Sequence, residues 1–167
     1  MELLKERPAR TDRTEDKTRR VLFVCTGNTC RSPMAEAVTN ALASELGRND
    51  ISARSAGLSA LEGDVISSGA LHALLKFGIK PCAPRDYRHH TAHRLTEAEA
   101  GSYDLLVGMT DAHVMQLLMC FPAMADRIVR MPQAILDPFG GSDALYESCL
   151  EQIMVGVREL LFGEASV

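Results

Sequence analysis

The 167-residue chain has no apolar run approaching the roughly 18–20 residues of a membrane-spanning helix, so a membrane segment is not expected. Its polar N-terminus predicts no secretory signal, and the acids within it do not suit a mitochondrial-type presequence. Positive charge is not in excess. The formal net charge of −4 argues against a nucleic-acid binder that works by general phosphate attraction. A paired-cysteine motif is also missing, and the five cysteines, at positions 25, 30, 82, 120 and 149, are odd in number. Together with the polar N-terminus this predicts reduced thiols in a cytoplasmic protein and no disulfide framework. There is no internal repeat. The one biased tract is residues 1–19, where Lys and Arg alternate with Asp and Glu. That charged stretch predicts a disordered or loosely helical extension, and residues 20–167 then form one domain large enough for a real core.

What the chain does have is a strand, a tight loop and a helix in direct succession. Val21 to Val24 is a continuous apolar run, as in a strand buried on both faces. Gly27 and Asn28 are turn residues, and Asn28 is suited to positive φ and to hydrogen bonding across the loop. Ser32 is placed to cap a helix with Pro33 in its first position, running to about Leu46 with Gly47 beyond its end. The spacing Cys25-x5-Arg31-Ser32 carries the chemistry. A loop of that length can turn the N–H groups of Thr26, Gly27, Asn28, Thr29, Cys30 and Arg31 toward one centre at a helix N-terminus, an anion site. Arg31 adds a planar fork for two oxygens of a tetrahedral oxyanion. The site favours a thiolate at Cys25, with its pKa lowered and Ser32 as a hydrogen-bonding neighbour, and so nucleophilic attack on phosphorus. Cys82 to Arg88 repeats the bare spacing, but without a preceding apolar strand, a loop glycine or a following serine, and reads as coincidence.

The rest of the chain alternates strands with helices. Strands are expected at 51–55, 105–109 and 127–131. A helix capped by Ser67 or Ser68 should present Leu71, Leu74 and Leu75 to the core. Thr96 should cap a short helix, and Thr110 one that buries Val114, Leu117 and Leu118. Ser142 or Asp143 should cap a last helix with Leu145, Cys149, Ile153, Val157, Leu160 and Leu161 on its inner face. Cys120 and Cys149 read as buried or half-buried, and the methionines at 109, 115, 119, 124, 131 and 154 as packing. The pattern predicts an α/β fold: a four-stranded parallel sheet, order 2-1-3-4, with helices on both faces and a ligand site at the carboxyl ends of its strands. Residues 59–64 should then lie near the pocket mouth.

The segment from Val24 to Glu36 resembles the phosphate loop of low-molecular-weight protein tyrosine phosphatases, most of all their bacterial protein arginine phosphatase branch. Ser55 to Gly57, Asp104 to Thr110 and Asp137 to Ser142 match the family in the same order. The resemblance implies the phosphotyrosine protein phosphatase I-like fold, phosphorylated proteins as substrates, no metal or other cofactor, and Cys25 as nucleophile with Arg31 binding phosphate. It makes Asp137, stiffened by Pro138, the acid and then the base. Through the arginine branch it implies a partner kinase. Thr29 stands where tyrosine-specific members usually carry a bulky aliphatic residue, so it is a candidate selector of phosphoarginine; the other reading is that threonine fits the loop. Phe139 reads either as a wall of the substrate cleft or as a loop anchor. Cys30 reads either as a partner for a protective disulfide with Cys25 or as a small buried residue. A histidine near His90 is implied to order the surrounding structure. Cys82, His89, His90 and His93 have spacing compatible with zinc but no paired cysteine. Three rival readings keep the loop: phosphotyrosine hydrolysis (the same chemistry on a different leaving group), a non-catalytic phosphate-binding module, and thioredoxin-coupled arsenate reduction. The last needs two relay cysteines, and His89 stands where the second would be.

Overall fold

The computed structural model describes residues 18–163. In chain order the elements are β1 (Arg19–Cys25), α1 (Arg31–Glu45), β2 (Ile51–Gly57), α2 (Ser68–Lys76), α3 (Glu97–Gly101), β3 (Leu105–Gly108), α4 (Asp111–Cys120), β4 (Ile128–Arg130) and α5 (Asp143–Leu161). All strand pairs are parallel, in the order β2-β1-β3-β4. The predicted architecture and strand order are those observed. Residues 1–17 of the charged tract lie outside the described residues, and Arg19 already pairs with Ile51 as part of β1.

The central strand shows why its sequence is apolar throughout. Successive side chains leave a strand on opposite faces. Val21, Phe23 and Cys25 enter a core with Met34, Val38, Leu74 and Ile153, contributed by α1, α2 and α5. Leu22 and Val24 enter a second, smaller core with Leu106, Leu117 and Tyr103, on the side of α3 and α4. Both faces are therefore covered, and β1 is fixed from either side with its carboxyl end open to the site.

Several helix faces are rotated from expectation. On α2 the buried residues are Gly69, Ala70, Ala73 and Leu74; Leu71 is half-buried and Leu75 exposed. On α4 they are His113 and Leu117, with Val114 and Leu118 at the edge. On α5 Tyr146 and Leu150 are buried and Leu145 is exposed. Small residues explain part of this: Gly69 lies against the Tyr146 ring, where a Cβ would come within 2.3 Å of it, so α2 and α5 approach through a glycine and an aromatic rather than through leucines. Cys120, Met115 and Met119 are on the surface, because the inward stripe of α4 passes through His113 and Leu117. Met109 and Met131 are core residues as expected.

Candidate active site

The loop joining β1 to α1 begins at Cys25, whose carbonyl accepts from Leu58 N–H at 2.9 Å. The next carbonyl, Thr26, accepts from Ser59 N–H at 3.0 Å, and that of Thr29 from Ser67 N–H at 2.9 Å. These bonds turn several loop carbonyls outward. Gly57 makes the approach possible: a Cβ there would sit 2.6 Å from Thr26 O and 3.1 Å from Asn28 Cβ. Asn28 takes φ 56°, the left-handed region that asparagine tolerates.

Asn28 is fully buried and spends every polar atom of its side chain. Its Oδ1 accepts from His93 N–H at 3.1 Å, which orients Nδ2 to donate to Ser32 Oγ at 2.9 Å. Ser32 Oγ lies 2.9 Å from Cys25 Sγ. The Ser32 hydroxyl, accepting from the amide, still has its own hydrogen to donate to the sulfur once Cys25 is ionised. This corrects the capping role expected of Ser32. Helix α1 starts at Arg31, its N-cap is Cys30 with no side-chain cap, and the serine hydroxyl serves the thiol instead. His90, also buried, bonds Asn28 O through Nε2 at 2.7 Å, so the histidine expected to order this region does so through the loop backbone. Of the other two histidines of that stretch, His93 reaches the loop only through its N–H while its ring pairs with Glu99 at 2.6 Å, and His89 is exposed.

Cys25 is 3% exposed, and burial pushes its thiol up from the ordinary value. Hydrogen bonds from the Ser32 hydroxyl and from Ser32 and Asn28 N–H, together with the charge on Arg31, pull it down without cancelling the effect of burial. The predicted lowering is thereby corrected: desolvation of a nearly enclosed sulfur outweighs the donors around it.

Arg31 is equally enclosed. Its Nη1 donates to Ile135 O at 3.0 Å, and its Nη2 lies 3.7 Å from Asp137 Oδ2. Ile135 is itself tied to the end of β3 through its N–H to Met109 O. Asp137 is half exposed, and its Oδ1 accepts from Phe139 N–H at 3.1 Å. A cavity of about 280 Å³ brings Cys25, Thr29, Arg31, Asp64, Asp137 and Phe139 to one mouth. Phe139 is 73% exposed and lines this cavity, so it is not the loop anchor in the core that was its other reading. Ser59, Leu61 and Asp64 also reach this cavity, in agreement with the loop position expected for 59–64. The second Cys-x5-Arg match forms no such loop: Arg88 pairs with Asp86, and Cys82 lies in a separate, shorter turn.

Cys30 turns from the cavity floor toward Ser67 and Tyr146. Its thiol donates to Ser67 Oγ at 3.2 Å and lies 3.5 Å from Tyr146 Oη. Both Cys25 and Cys30 are free thiols here.

His113 was not anticipated. It is 4% exposed on the first turn of α4, with Nε2 2.9 Å from Thr26 Oγ1 and Nδ1 3.0 Å from Thr110 Oγ1. It thus connects the loop residue after Cys25 to the cap of α4. Burial, aided by Arg31, pushes the ring down to about 4. The available signal was a Thr–x–x–His pattern behind strand β3, common enough in capped helices to carry little weight alone.

A nearly enclosed thiol, an arginine held beside it and a carboxylate at the mouth thus share one cavity at the carboxyl edge of a parallel sheet, where such sheets bind their ligands. The family described as low molecular weight phosphotyrosine protein phosphatase matches residues 20–167. The protein-arginine-phosphatase of Bacillus subtilis is 33% identical over 147 residues, covering 84% of this chain and 93% of that protein. A low molecular weight protein-tyrosine-phosphatase, PtpB, of Staphylococcus haemolyticus is 31% identical over 147 residues, covering 84% and 96%. The solved low molecular weight protein tyrosine phosphatase from T. tengcongensis superposes with a TM-score of 0.79 at 35% identity, covering 88% of this chain and 100% of that one. The chain belongs to the low molecular weight phosphotyrosine protein phosphatase family, and is a hydrolase whose substrates are phosphorylated proteins. Among the described residues no helix is long and apolar enough to cross a membrane.

Proposed function

We propose that this phosphatase hydrolyses phosphoarginine in proteins through a phosphocysteine intermediate. The observation that carries the reading is Thr29: a half-buried, small polar side chain lines the same cavity as Cys25 and Asp137, where it can hydrogen-bond a guanidinium and gives a phenyl ring little apolar wall. The similarity to the Bacillus subtilis arginine phosphatase supports it.

In this reading Cys25 passes its thiol proton to an oxygen of the incoming phosphoryl group, and the resulting thiolate attacks phosphorus as the P–N bond breaks. Arg31 and the loop N–H groups hold the phosphoryl oxygens, so the charge developing there meets donors already in place. Asp137 passes a proton to the leaving guanidine nitrogen. It then takes one from the water that attacks phosphocysteine, the S–P bond breaks, and phosphate leaves with the thiolate restored. Ser32 and Asn28 support the sulfur. A protein arginine kinase supplies the substrate, and both act in the cytoplasm.

Phosphotyrosine is the second reading, favoured by one feature: Phe139 and Leu61 offer exposed apolar surface on the cavity wall. The test compares kcat/KM on a phosphoarginine peptide and a matched phosphotyrosine peptide, with Cys25→Ser as the inactive blank. At least a tenfold preference for phosphoarginine is expected, about 1.4 kcal/mol in the transition state, and Thr29→Ile should reverse it. A wild-type preference for phosphotyrosine rejects the arginine assignment and keeps the chemistry.

A further inference from the structure

We infer that Asp64 is a specificity-determining residue: its carboxylate receives the positive charge of the substrate's guanidinium opposite Asp137. The inference rests on the phosphoarginine reading and adds a second contact to it.

Asp64 belongs to the β2–α2 connection, whereas Asp137 belongs to the β4–α5 connection. In a sheet ordered β2-β1-β3-β4 these loops rise from the two outer strands, with Cys25 at the end of β1 between them. Both residues line the cavity that holds the sulfur. The backbone at Asp64 is pinned on both sides: its N–H donates to Leu61 O at 3.2 Å, and its carbonyl accepts from Ala92 N–H at 2.7 Å. The adjoining Val65 bridges to Thr91. The carboxylate itself has no hydrogen bond or ion pair among the described residues, and the residue is exposed. Its neighbours are used differently. Glu62 accepts from Arg94 N–H at 2.8 Å, and Asp137 lies 3.7 Å from the Arg31 guanidinium. Asp64 is the rim carboxylate left without a countercharge.

An uncompensated carboxylate at the rim of an anion site opposes the binding of a phosphate dianion, because like charges across a narrow, partly enclosed mouth repel. An aryl phosphate brings nothing to offset that. Phosphoarginine carries its own cation: the N-phosphorylated guanidinium places positive charge one bond from phosphorus. It can meet a carboxylate on either side of the mouth while its phosphoryl group descends to Arg31. The same side chain then attracts one substrate and disfavours the other. Held on a fixed backbone, it does so without a large ordering cost.

Asp64→Asn keeps the size and removes the charge, on an exposed side chain whose loss should leave the fold intact. Kinetics on phosphoarginine and phosphotyrosine peptides, at low and moderate salt, give the test. The substitution is expected to lower kcat/KM for phosphoarginine about tenfold, mainly through KM. On phosphotyrosine it should leave kcat/KM unchanged or raise it a few-fold, and Asp64→Lys should widen both effects. Added salt should weaken the wild-type preference more than that of Asp64→Asn. If the wild type prefers phosphoarginine and Asp64→Asn keeps the same ratio, the role of Asp64 is overturned while the arginine assignment stands. If both substrates fall together, Asp64 shapes the loop and does not choose the substrate. A wild type that prefers phosphotyrosine removes the assignment and this inference with it.

Discussion

Asn28 Nδ2 donates to Ser32 Oγ at 2.9 Å, and that hydroxyl lies 2.9 Å from Cys25 Sγ. The amide can act only as donor there, since its oxygen is engaged by His93 N–H. The hydroxyl keeps its own hydrogen for the sulfur, and donated there it stabilises a thiolate more than a thiol.

Ser32→Ala should therefore slow the enzyme without blocking the pocket. The Ser32 hydroxyl pulls the Cys25 thiol down against burial, so its removal lets burial push the thiol further up. A hydrogen bond to a charged group contributes about 1.5–3 kcal/mol, so kcat/KM should fall roughly ten- to a hundredfold. The acid limb of the pH profile should move to higher pH, because the thiolate then forms later in the titration. The direct check is the pH dependence of Cys25 alkylation by iodoacetamide. An unchanged profile would show that the hydroxyl does not donate to the sulfur.

Asp137 offers a prediction that separates acid catalysis from phosphate binding. Its Oδ1 is used by Phe139 N–H, which holds the carboxyl at the mouth, and its other oxygen faces Arg31. If Asp137 protonates the leaving group, Asp137→Asn should cost phosphoarginine turnover about 10²–10⁴-fold. The first step on p-nitrophenyl phosphate, whose leaving group needs little protonation, should suffer much less. Burst kinetics on the aryl ester resolve that step. Equal losses in the burst on p-nitrophenyl phosphate and in the first step on phosphoarginine would mean that the carboxylate positions Arg31 and does not transfer a proton.

The main features of the site were legible because they lie close together in the chain. A fully apolar strand, a Gly-Asn turn and an Arg-Ser-Pro helix start fall within Val21 to Pro33, and local sequence fixes local geometry there. Besides His113, three things were not legible. Ser32 has the residue type of a helix cap, and only the long-range bond from His93 to Asn28 diverts it to the sulfur. The thiol shift at Cys25 is a balance of enclosure against donors, and enclosure depends on cores that β1 shares with elements more than a hundred residues away, such as Ile153. The faces of α2 and α5 turn on the contact between Gly69 and Tyr146, which no periodicity within either helix announces.

His113 leads to a prediction about stability. Burial first, then the charge on Arg31, pushes its ring down from 6.5 to about 4, with Asp137 pulling weakly the other way. In the unfolded chain the ring takes up its proton near 6.5, whereas in the fold it stays neutral until about 4. Between those values the unfolded state binds more protons, so stability rises with pH. The contribution is complete above 6.5 and is lost as pH falls toward 4. His90, also pushed down by burial, acts in the same direction, and Glu36, pushed up by burial, opposes it; His93, raised by its bond to Glu99, contributes stability that is lost only as pH rises above 6.5, outside this window. The wild-type Tm should therefore drop across this window, and His113→Gln should drop less steeply even if its Tm near pH 7 starts lower through lost packing. Parallel Tm curves for the two proteins would show that protonation of His113 is not what the fold resists. The neutral ring also has a local task, since its single N–H must serve one of the Thr26 and Thr110 hydroxyls while its other nitrogen accepts from the second. A charged ring donates from both nitrogens, so protonation would reverse one of the two hydrogen bonds, its threonine hydroxyl turning from donor to acceptor.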